Sequence, residues 1–315
     1  NMAGAGDIIG GISDSMKTLV GSYSLALMVG PRTFVIRDPL AIRPLCIGKI
    51  GNCHCAASES VVFDSLGGEL LRDLKPGEIV EITEKGFVSH HLSVEEKKAH
   101  CMFEWIYFAR PDSYIDEKLV YDVRRKVGMQ LAKDSPVNAD FVVPVPDSGR
   151  AHAIGYSEKS GIPYAEGLIK NRYVQRTFIM PNQADRDSSI RLKLNPLKPV
   201  IEGKRIILVD DSIVRGTTMR QIVKIVKKAG AKEVHLRIGC PPIVSPCYLG
   251  IDIKNRDEFV AHGRELDEIR NFIGADTLAY TSIENLISSI GKKREELCLG
   301  CLTGKYPLPI PNECP

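Results

Sequence analysis

A short apolar run followed by two adjacent carboxylates constrains the fold of this chain more than any other stretch. Residues 206–209 read IILV, a continuously apolar and mostly β-branched run, which is typical of a strand buried on both faces of a parallel sheet. Asp210 and Asp211 follow where such a strand ends, and residues 219–231 then show a helical pattern. Strand, polar turn and helix form the repeating unit of a doubly wound α/β fold, whose ligands bind at the carboxyl ends of the strands. The sequence therefore predicts a parallel sheet flanked by helices, with a ligand site at this turn.

The turn between this strand and its helix carries groups that suit a phosphate ester. Backbone N–H groups at the start of a helix bind anions, and the hydroxyls of Ser212, Thr217 and Thr218 add donors. Gly216 permits close approach of a ligand to the backbone. The two carboxylates suit ribose hydroxyls, a hydrated Mg²⁺, or both. The simpler alternative is that Asp211 or Ser212 only caps the helix.

Length and composition limit the class of protein. The 315 residues have room for one large or two medium domains, and 43% hydrophobic with 26% charged residues is ordinary for a soluble globular chain. A net charge of +3 is too small to indicate nucleic-acid binding. No apolar run approaches the roughly 18 residues of a membrane span, and no signal peptide is evident at the N-terminus. We therefore expect a cytoplasmic protein with neither a nucleic-acid nor a membrane partner.

The periodicity of apolar residues changes along the chain and predicts two domains. In residues 1–95, short apolar runs separated by Gly, Pro and Asp turns predict an antiparallel, sheet-rich unit. Within it we expect a helix over residues 60–71 and a hairpin whose turn is Thr83–Lys85. In residues 96–315, strands alternate with helical patterns such as that of residues 114–133, which predicts the parallel α/β sheet.

A second polar turn follows the apolar run of residues 141–146. Asp147, Ser148, Gly149 and Arg150 occupy it, and a helical pattern begins directly afterwards. This layout repeats that of the first turn. An ordinary strand-to-helix connection that binds no ligand is the alternative interpretation.

A long polar stretch from Lys170 to about Asn195 lacks clear periodicity and is rich in Arg, Asp, Gln and Ser. A segment of about 20 residues without periodicity inside a compact domain is usually either functional or disordered. A solvated run of charges is the alternative to a functional loop.

Four stretches of the chain resemble the glutamine phosphoribosyl-pyrophosphate (PRPP) amidotransferase family. They are CMFEWIYFARPDSYID from Cys101, KNRYVQRTFIMP from Lys170, VDDSIVRGTT, which contains Asp210, and CLGCLTGKYP from Cys298. VDDSIVRGTT is similar to the PRPP signature of type I phosphoribosyltransferases in general, whereas KNRYVQRTF and the CLGC ending are much more specific. The resemblance extends from about Tyr23 to about Pro307. It implies the transfer of ammonia, normally taken from glutamine, to C1 of PRPP, which is the first step of purine synthesis.

The resemblance also implies a role for each polar group at the two turns and in the long loop. Lys170 and Arg172 would neutralise the pyrophosphate, and Tyr173 would lie where ammonia arrives. Asp210 and Asp211 would hold the ribose hydroxyls and favour a cationic sugar. Mg²⁺ would be bound by Ser148, Asp210 and Asp211. The remaining PRPP contacts would come from Asp147, Ser148, Gly149, Arg150 and Ser212, and from Val214, Arg215, Gly216, Thr217 and Thr218 around the 5′-phosphate.

For residues 1–95 the resemblance implies the C-terminal part of an N-terminal-nucleophile glutaminase domain, and for residues 96–315 a phosphoribosyltransferase domain with a cluster-binding tail. In this family a cysteine at the mature N-terminus attacks glutamine, with its own amine as the base. Residue 1 of this sequence is Asn1, and the first cysteine is Cys46. We therefore expect no glutaminase activity from the chain as it stands, because the nucleophile segment lies outside it or the protein uses free ammonia.

The nine cysteines, in a chain without a secretion signal, indicate reduced thiols, some of which could hold a metal. Cys298 and Cys301 form a C-x-x-C pair, and four thiolates can hold either Zn²⁺ or an iron–sulfur cluster. The resemblance supplies Cys101 and Cys247 as the other two ligands and implies a structural [4Fe–4S] cluster. In Cys53–Cys55, strand alternation puts both thiols on one face, and we favour buried cysteines over a metal site there.

Two other functions share the PRPP signature. A nucleobase phosphoribosyltransferase would lack KNRYVQRTF and the four cluster cysteines. A non-catalytic regulator that senses PRPP or nucleotides would keep the fold, but it needs neither the hydroxyl of Ser148 nor the basic loop. The resemblance further implies inhibition by purine nucleotides and assembly into a homo-oligomer.

Overall fold

The computed structural model describes residues 7–91, 97–171, 173, 193–253 and 255–310. The chain divides into two compact units. Unit 1 comprises Asn1–Val120, Pro246–Lys254 and Lys292–Pro315, and unit 2 comprises Tyr121–Ser245 and Asn255–Gly291. The assignment of a glutaminase-type domain to residues 1–95 and of a transferase domain to the rest stays a prediction. Among the described helices, none combines the length and the apolarity that crossing a membrane requires.

Unit 1 contains two antiparallel sheets. Their strands are β1 (Ser24–Val29), β2 (Arg32–Arg37), β3 (Cys46–Ile50), β4 (Cys53–Ala57), β5 (Glu69–Asp73), β6 (Glu78–Thr83) and β7 (Gly86–His91). One sheet has the order β1-β2-β6-β7 and the other the order β4-β3-β5. The predicted hairpin is confirmed, because Thr83 pairs with Gly86 across its turn. Two helices accompany the sheets, α1 (Ile8–Thr18) and α2 (Val61–Ser65).

Strand β2 is buried on both faces. Its side chains point alternately to the two faces, and each face packs in a different hydrophobic cluster. Phe34 and Ile36 pack with Ile12 of α1 in one hydrophobic cluster. Val35, which points to the other face, packs with Ile47 of β3 in a second cluster. Because successive strand residues point to opposite faces, helix α1 covers one face of this sheet and the β4-β3-β5 sheet covers the other.

The helix predicted over residues 60–71 is wrong in its second half. Helix α2 ends at Ser65, and β5 occupies the later residues. Gly67 has a φ of 67°, the left-handed conformation that commonly ends a helix. A Cβ on Gly68 would lie 2.2 Å from the carbonyl oxygen of Lys49. The glycine pair therefore ends the helix and lets the chain approach β3 closely enough to pair with it.

The helix predicted over residues 114–133 begins later than expected. Its first residues form a small hairpin of β9 (Tyr114–Ile115) and β10 (Lys118–Leu119), and only then does α3 (Val120–Asp134) begin. Asp116 and Glu117 at the hairpin turn have φ values of 50° and 63°, which no helix accommodates.

The remaining elements of unit 1 are β8 (His100–Cys101), a π-helix (Glu104–Phe108), a 3₁₀ turn (Arg294–Glu296), β17 (Leu297–Cys298) and α9 (Gly300–Thr303).

Unit 2 is built on the parallel sheet that the sequence predicts. Its strands are β11 (Phe141–Pro144), β14 (Arg205–Asp210), β15 (Glu233–Ile238) and β16 (Thr277–Tyr280), in that order across the sheet. The run of residues 206–209 is fully buried in β14, as expected for a strand covered on both faces. Helix α3 belongs to this unit from Tyr121 onward. The other helices are α4 (Arg150–Ser160), α5 (Lys198–Ile201), α6 (Thr217–Lys228), α7 (Leu266–Ile273) and α8 (Ile283–Ile290). Strands β12 (Leu168–Lys170) and β13 (Leu194–Pro196) form a separate antiparallel pair, and a 3₁₀ turn spans Arg256–Glu258.

Helices α3 and α4 cross with their backbones in contact, through one glycine on each helix. A Cβ on Gly128 would lie 1.9 Å from the carbonyl oxygen of His152, and a Cβ on Gly155 would lie 1.9 Å from that of Arg125. Real Cβ atoms never approach an oxygen that closely, so each position accepts only glycine without a shift of the helices. The crossing holds the backbone of α4 against α3, and α4 begins directly after the polar turn that ends at Gly149.

Replacing Gly155 with alanine tests this crossing. We expect Gly155→Ala to lower the free energy of unfolding by about 1–3 kcal/mol, because the added methyl group forces two helix backbones apart. Lys126→Ala, at an exposed position of α3, is the control and should change the free energy by less than about 0.5 kcal/mol. Urea unfolding of both variants measures the difference, and equal stability of the two would contradict the close crossing.

Candidate functional site

The two polar turns that the sequence singles out lie side by side at the carboxyl edge of the parallel sheet. Strands β11 and β14 are neighbours, and the Val145 N–H donates to the carbonyl oxygen of Val209 at 2.8 Å. A Cβ on Gly149 would lie 2.4 Å from the same Val209 oxygen. The β11–α4 turn (residues 145–149) therefore rests directly on the end of β14, beside the β14–α6 turn (residues 211–216).

The β14–α6 turn leaves the first N–H groups of α6 open to a ligand. Gly216 precedes the helix with a φ of 74°, and within the described residues no side chain caps α6. Helix capping by Asp211 or Ser212, the alternative considered from the sequence, is therefore wrong. A Cβ on Gly216 would lie 2.9 Å from a methyl group of Val260, so both the backbone angle and the space require glycine here. Unpaired N–H groups at a helix start attract phosphate, and the hydroxyls of the exposed residues Thr217 and Thr218 lie in the first turn.

Two carboxylates lie buried at the junction of the two turns. Asp210 is 9% exposed and Asp211 is 4% exposed. The Asp211 N–H donates to Oδ1 of Asp210 at 2.9 Å, and the Ser212 hydroxyl donates to Oδ1 of Asp211 at 2.5 Å. The side chain of Ser148, from the β11–α4 turn, also hydrogen-bonds to Asp211. The structure thus brings together the three residues predicted to share Mg²⁺.

Burial makes the charged form of this carboxylate pair unfavourable. It raises the pKa of Asp210 well above its ordinary value, and the neighbouring charge of Asp211 raises that pKa further. Burial also raises the pKa of Asp211, although hydrogen bonds from Ser148 and Ser212 offset part of this effect. Two adjacent buried carboxylates with raised pKa values are stabilised by a nearby cation. The pair therefore suits a divalent metal ion, a sugar that develops positive charge, or both.

Cationic side chains lie at the β11–α4 turn. Nζ of Lys170 is 2.7 Å from Oδ2 of Asp147, and Nη1 of Arg150 is 3.4 Å from Oδ1 of the same carboxylate. The Pro146–Asp147 peptide bond is cis. Tyr173 is 97% exposed, and it contacts none of these groups through a hydrogen bond between described residues. Arg172, the other predicted cation, lies outside the described residues, as does most of the long polar loop.

Two acidic residues that the sequence did not single out hold the arginines of the two turns. Glu166 lies 3.3 Å from Nε of Arg150 and accepts a hydrogen bond of 2.6 Å from the hydroxyl of Tyr164. Glu258 forms an ion pair with Arg215. Both glutamates come from segments distant in sequence, and no local pattern marks them.

The four cysteines predicted to hold a cluster all belong to unit 1. Cys101 and Cys298 are opposite each other in the parallel pair of β8 and β17. Burial raises the pKa of the Cys298 thiol to about 11, and the nearby Cys247 contributes to this rise. Cys301 follows in the short helix α9. Three separate segments of the chain thus bring thiols to one region, while no group of three or more potential ligands among the described residues is already arranged around a metal position.

Backbone donors around these thiols fit a set of thiolates. The Leu249 N–H lies 3.4 Å from Sγ of Cys247 in a hydrogen bond, and a backbone hydrogen bond at Gly300 lowers the pKa of Cys298 against the effect of burial. Hydrogen bonds to sulfur are one of the means by which proteins hold and tune iron–sulfur centres. The donor set is therefore compatible with a thiolate-bound cluster.

The prediction of buried cysteines at residues 53–55 is wrong. Cys53 is exposed and Cys55 is intermediate. Strand alternation holds, because the His54 ring turns away from the thiols and packs edge-on against Phe87 at 5.1 Å between ring centroids. The misjudgement arose because β4 lies at the edge of its sheet in the described structure, which the sequence of one strand does not reveal.

Comparison with known proteins identifies the relatives of this chain. The phosphoribosyl transferase domain family matches residues 115–240. The amidophosphoribosyltransferase of Methanothermobacter thermautotrophicus is 52% identical over 297 residues, which are 94% of this chain and 63% of that protein. The amidophosphoribosyltransferase of Archaeoglobus fulgidus is 51% identical over 311 residues, which are 98% of this chain and 68% of that protein.

A solved structure of a relative aligns with nearly all of this chain. The glutamine PRPP amidotransferase from B. subtilis, complexed with ADP and GMP, is 45% identical and superposes with a TM-score of 0.92. The match covers 99% of this chain and 70% of that structure. The chain thus spans about two thirds of the length of these relatives.

The buried carboxylate pair gives a prediction for stability against pH. The folded chain holds the proton of Asp210 more tightly than the unfolded chain, in which its pKa is about 4. Protonated Asp210 therefore contributes to the free energy of unfolding below about pH 4, and this contribution is lost as the pH rises from about 4 toward the raised pKa of the folded chain. We expect Asp210→Asn to be about 1–3 kcal/mol more stable than the wild type at neutral pH, because the uncharged amide avoids the cost of a buried charge. This advantage should shrink toward pH 4.

Urea unfolding at several pH values tests this prediction, with Asp140→Asn as a control of opposite sign. Hydrogen bonds from the backbone and side chain of Arg205 hold the pKa of Asp140 below its ordinary value. Its charge therefore stabilises the fold at neutral pH, and that contribution is lost as pH falls through the lowered pKa. A lower stability of Asp210→Asn at neutral pH would show that the carboxylate charge is favourable in the fold.

Proposed function

Because the chain belongs to the amidophosphoribosyltransferase family, we propose that it transfers ammonia, normally derived from glutamine, to C1 of PRPP. The products are 5-phosphoribosylamine and pyrophosphate, in the first step of purine synthesis. One observation carries the proposal for this chain. The buried pair of Asp210 and Asp211 lies between the start of α6, which no side chain caps among the described residues, and the β11–α4 turn, where Asp147 contacts the side chains of Lys170 and Arg150. A sugar with a phosphate at one end and a diphosphate at the other matches that order of charges.

Each part of PRPP has a counterpart at the site. The 5′-phosphate would accept hydrogen bonds from the first N–H groups of α6 and from the hydroxyls of Ser212, Thr217 and Thr218. The ribose hydroxyls would donate to the buried carboxylates. The diphosphate would lie over the β11–α4 turn, where Lys170 and Arg150 supply positive charge. The backbone of Ser148 and Gly149 would face it.

The reaction forms a C1–N bond as the bond between C1 and the diphosphate oxygen breaks, with inversion at C1. Positive charge develops on the sugar and negative charge on the leaving group. The carboxylates of Asp210 and Asp211 stabilise the first, and Lys170 and Arg150 stabilise the second. Positioning and preorganised charges therefore account for most of the rate enhancement. Ammonia attacks through its own lone pair, so the attack step needs no general base from the protein.

Mg²⁺ fits the oxygen donors present at the junction of the turns. The candidate ligands are the carboxylates of Asp210 and Asp211 and the hydroxyl of Ser148, and hard oxygen donors of this kind suit Mg²⁺. When bound, the ion would neutralise charge on the diphosphate. The raised pKa values of the two carboxylates support a cation there, because the folded chain alone leaves their charges poorly compensated.

The route of ammonia and the regulation of the enzyme rest on the family. Tyr173, exposed at the start of the long loop, would line the approach of ammonia to C1, and Arg172 would join Lys170 at the pyrophosphate. The B. subtilis relative was solved with ADP and GMP, and we propose that purine nucleotides also bind and inhibit this protein. We further propose that it forms homo-oligomers.

A [4Fe–4S] cluster held by Cys101, Cys247, Cys298 and Cys301 forms part of the proposal. The convergence of three chain segments and the N–H donors to two of the thiols support it. Its role would be structural, because thiolate ligation joins segments of unit 1 that are distant in sequence.

Pyrophosphate release provides the direct test of the transferase activity. With PRPP, Mg²⁺ and ammonium, we expect the wild type to release pyrophosphate and Asp210→Asn to lose about 100-fold or more of the rate, because it lacks a charge that favours the cationic transition state. Asp140→Asn lies beside the first residue of β14, at the end of the strands opposite to the candidate site, and should keep the wild-type rate.

The choice of nucleophile separates the remaining alternatives. Release with ammonium and not with glutamine would agree with a transferase unit whose glutaminase nucleophile lies outside this sequence. Release with a nucleobase in place of ammonium would favour a nucleobase phosphoribosyltransferase. Absence of release with every nucleophile would contradict the enzymatic proposal and favour a PRPP or nucleotide sensor.

Metal analysis tests the cluster. We expect about four iron atoms and matching acid-labile sulfide per chain in protein purified without oxygen, and we expect Cys298→Ser to lose them and to unfold more readily. Cys53→Ser, at an exposed cysteine of the same unit, should retain both. Zinc in place of iron would contradict the cluster and identify a zinc site with the same ligands.

A further inference from the structure

The carboxylate of Asp147 bridges two cations at the β11–α4 turn. Its Oδ2 atom is 2.7 Å from Nζ of Lys170, and its Oδ1 atom is 3.4 Å from Nη1 of Arg150. The side chains of Asp147, Lys170 and Arg150 are 56%, 52% and 42% exposed to solvent, respectively. The cluster is thus open to a ligand from solvent.

The same two cations are those that would receive the diphosphate of PRPP. A carboxylate and a phosphate present equivalent oxygen acceptors to an ammonium or a guanidinium group. The carboxylate of Asp147 therefore occupies the position that an anionic ligand of these two cations would take. A diphosphate that binds Lys170 must displace this carboxylate, and the repulsion between the two anions adds to the cost.

Lys170 and Arg150 differ in how strongly they depend on Asp147. Arg150 has a second acidic partner, Glu166, whose Oε1 atom is 3.3 Å from its Nε, and the Tyr164 hydroxyl holds that carboxylate at 2.6 Å. Lys170 has Asp147 as its one ion-pair partner in the part of the chain that the structure describes. Lys170 is therefore the cation whose availability Asp147 controls.

We propose that Asp147 is the counter-ion that the diphosphate displaces, and that it sets how tightly pyrophosphate is retained after the reaction. This inference rests on the proposed function. PRPP binds through its 5′-phosphate, ribose and diphosphate together, whereas released pyrophosphate has the β11–α4 turn alone. A carboxylate that competes for the cations of this turn therefore weakens the hold on the product, whose departure frees the site for the next substrate.

The proposed role and the alternative roles of Asp147 predict opposite changes in pyrophosphate affinity when the residue is replaced. A ligand for Mg²⁺ or a residue that only shapes the turn would weaken pyrophosphate binding when replaced. A competing counter-ion would strengthen it. Exposed ion pairs contribute modestly to stability, and the two contacts of Asp147 correspond to an effect of about three- to tenfold on affinity.

Isothermal titration of Mg²⁺-pyrophosphate into the protein tests the proposal without turnover. We expect Asp147→Asn to bind pyrophosphate about three- to tenfold more tightly than the wild type. In a Lys170→Gln background, the same replacement should have a clearly smaller effect on pyrophosphate affinity, because the cation that Asp147 pairs with is then absent. The four variants form a double-mutant cycle that measures this coupling. Glu158→Gln is the matched control. It removes a carboxylate of similar exposure that pairs with Arg125 at 2.6 Å, toward the far end of α4, and should leave pyrophosphate affinity unchanged.

Steady-state kinetics provide a second readout. Asp147→Asn should show stronger inhibition by pyrophosphate, a lower KM for PRPP and an unchanged or lower kcat. Equal or weaker pyrophosphate binding by Asp147→Asn, beside normal binding by the wild type and the Glu158→Gln control, would overturn the inference and leave the proposed function intact. Failure of the wild type itself to bind pyrophosphate would overturn the proposed function, and the inference with it.

Discussion

The contact between the β11–α4 turn and the end of β14 is the constraint on which the candidate site depends. The Val145 N–H bonds to the carbonyl oxygen of Val209, and the absence of a side chain at Gly149 lets the turn rest on that same oxygen. Adjacent parallel strands are about 4.8 Å apart, so this contact sets the distance between the two polar turns. The proposed ligand, a sugar with phosphate groups at both ends, would thereby contact the turns after two neighbouring strands of one sheet.

The charges of the site are arranged by depth. The two carboxylates of Asp210 and Asp211 are buried, whereas Lys170 and Arg150 lie at the exposed rim. Burial keeps the local dielectric low, so the negative pair acts strongly on a positive charge that forms beside it. The protein accepts a cost in stability for that effect, which hydroxyl groups offset only in part. At the rim the cations are partly exposed to solvent, and the proposed anionic product would exchange there with water.

The sequence was informative where a property is local and less so where it depends on contacts between distant segments. The buried run of residues 206–209 predicted the parallel sheet, and the polar residues after it predicted a candidate site at its carboxyl edge, because strand burial and turn chemistry are encoded within a few residues. The helix predicted over residues 60–71 ends early at the adjacent glycines Gly67 and Gly68, a local signal that was present in the sequence. The pairing of the following strand with β3 depends instead on Gly68 meeting the backbone of Lys49, which no local pattern reveals. Glu166 and its contact with Arg150 were missed for the same reason. Exposure at Cys53 depends on its strand lying at a sheet edge.

The crossing of α3 and α4 has a consequence for how this chain can diverge among its relatives. At Gly128 and Gly155 the three nearest atoms all belong to the backbone of the other helix, so a larger residue at either position meets no side chain that a second mutation could shorten. Compensation would require the whole of α4 to move, and its first residue, Arg150, lies only about 7.5 Å along the helix from Gly155. Second-site suppressors of a substitution there should therefore be rare, and any that arise should also alter the chemistry at the β11–α4 turn.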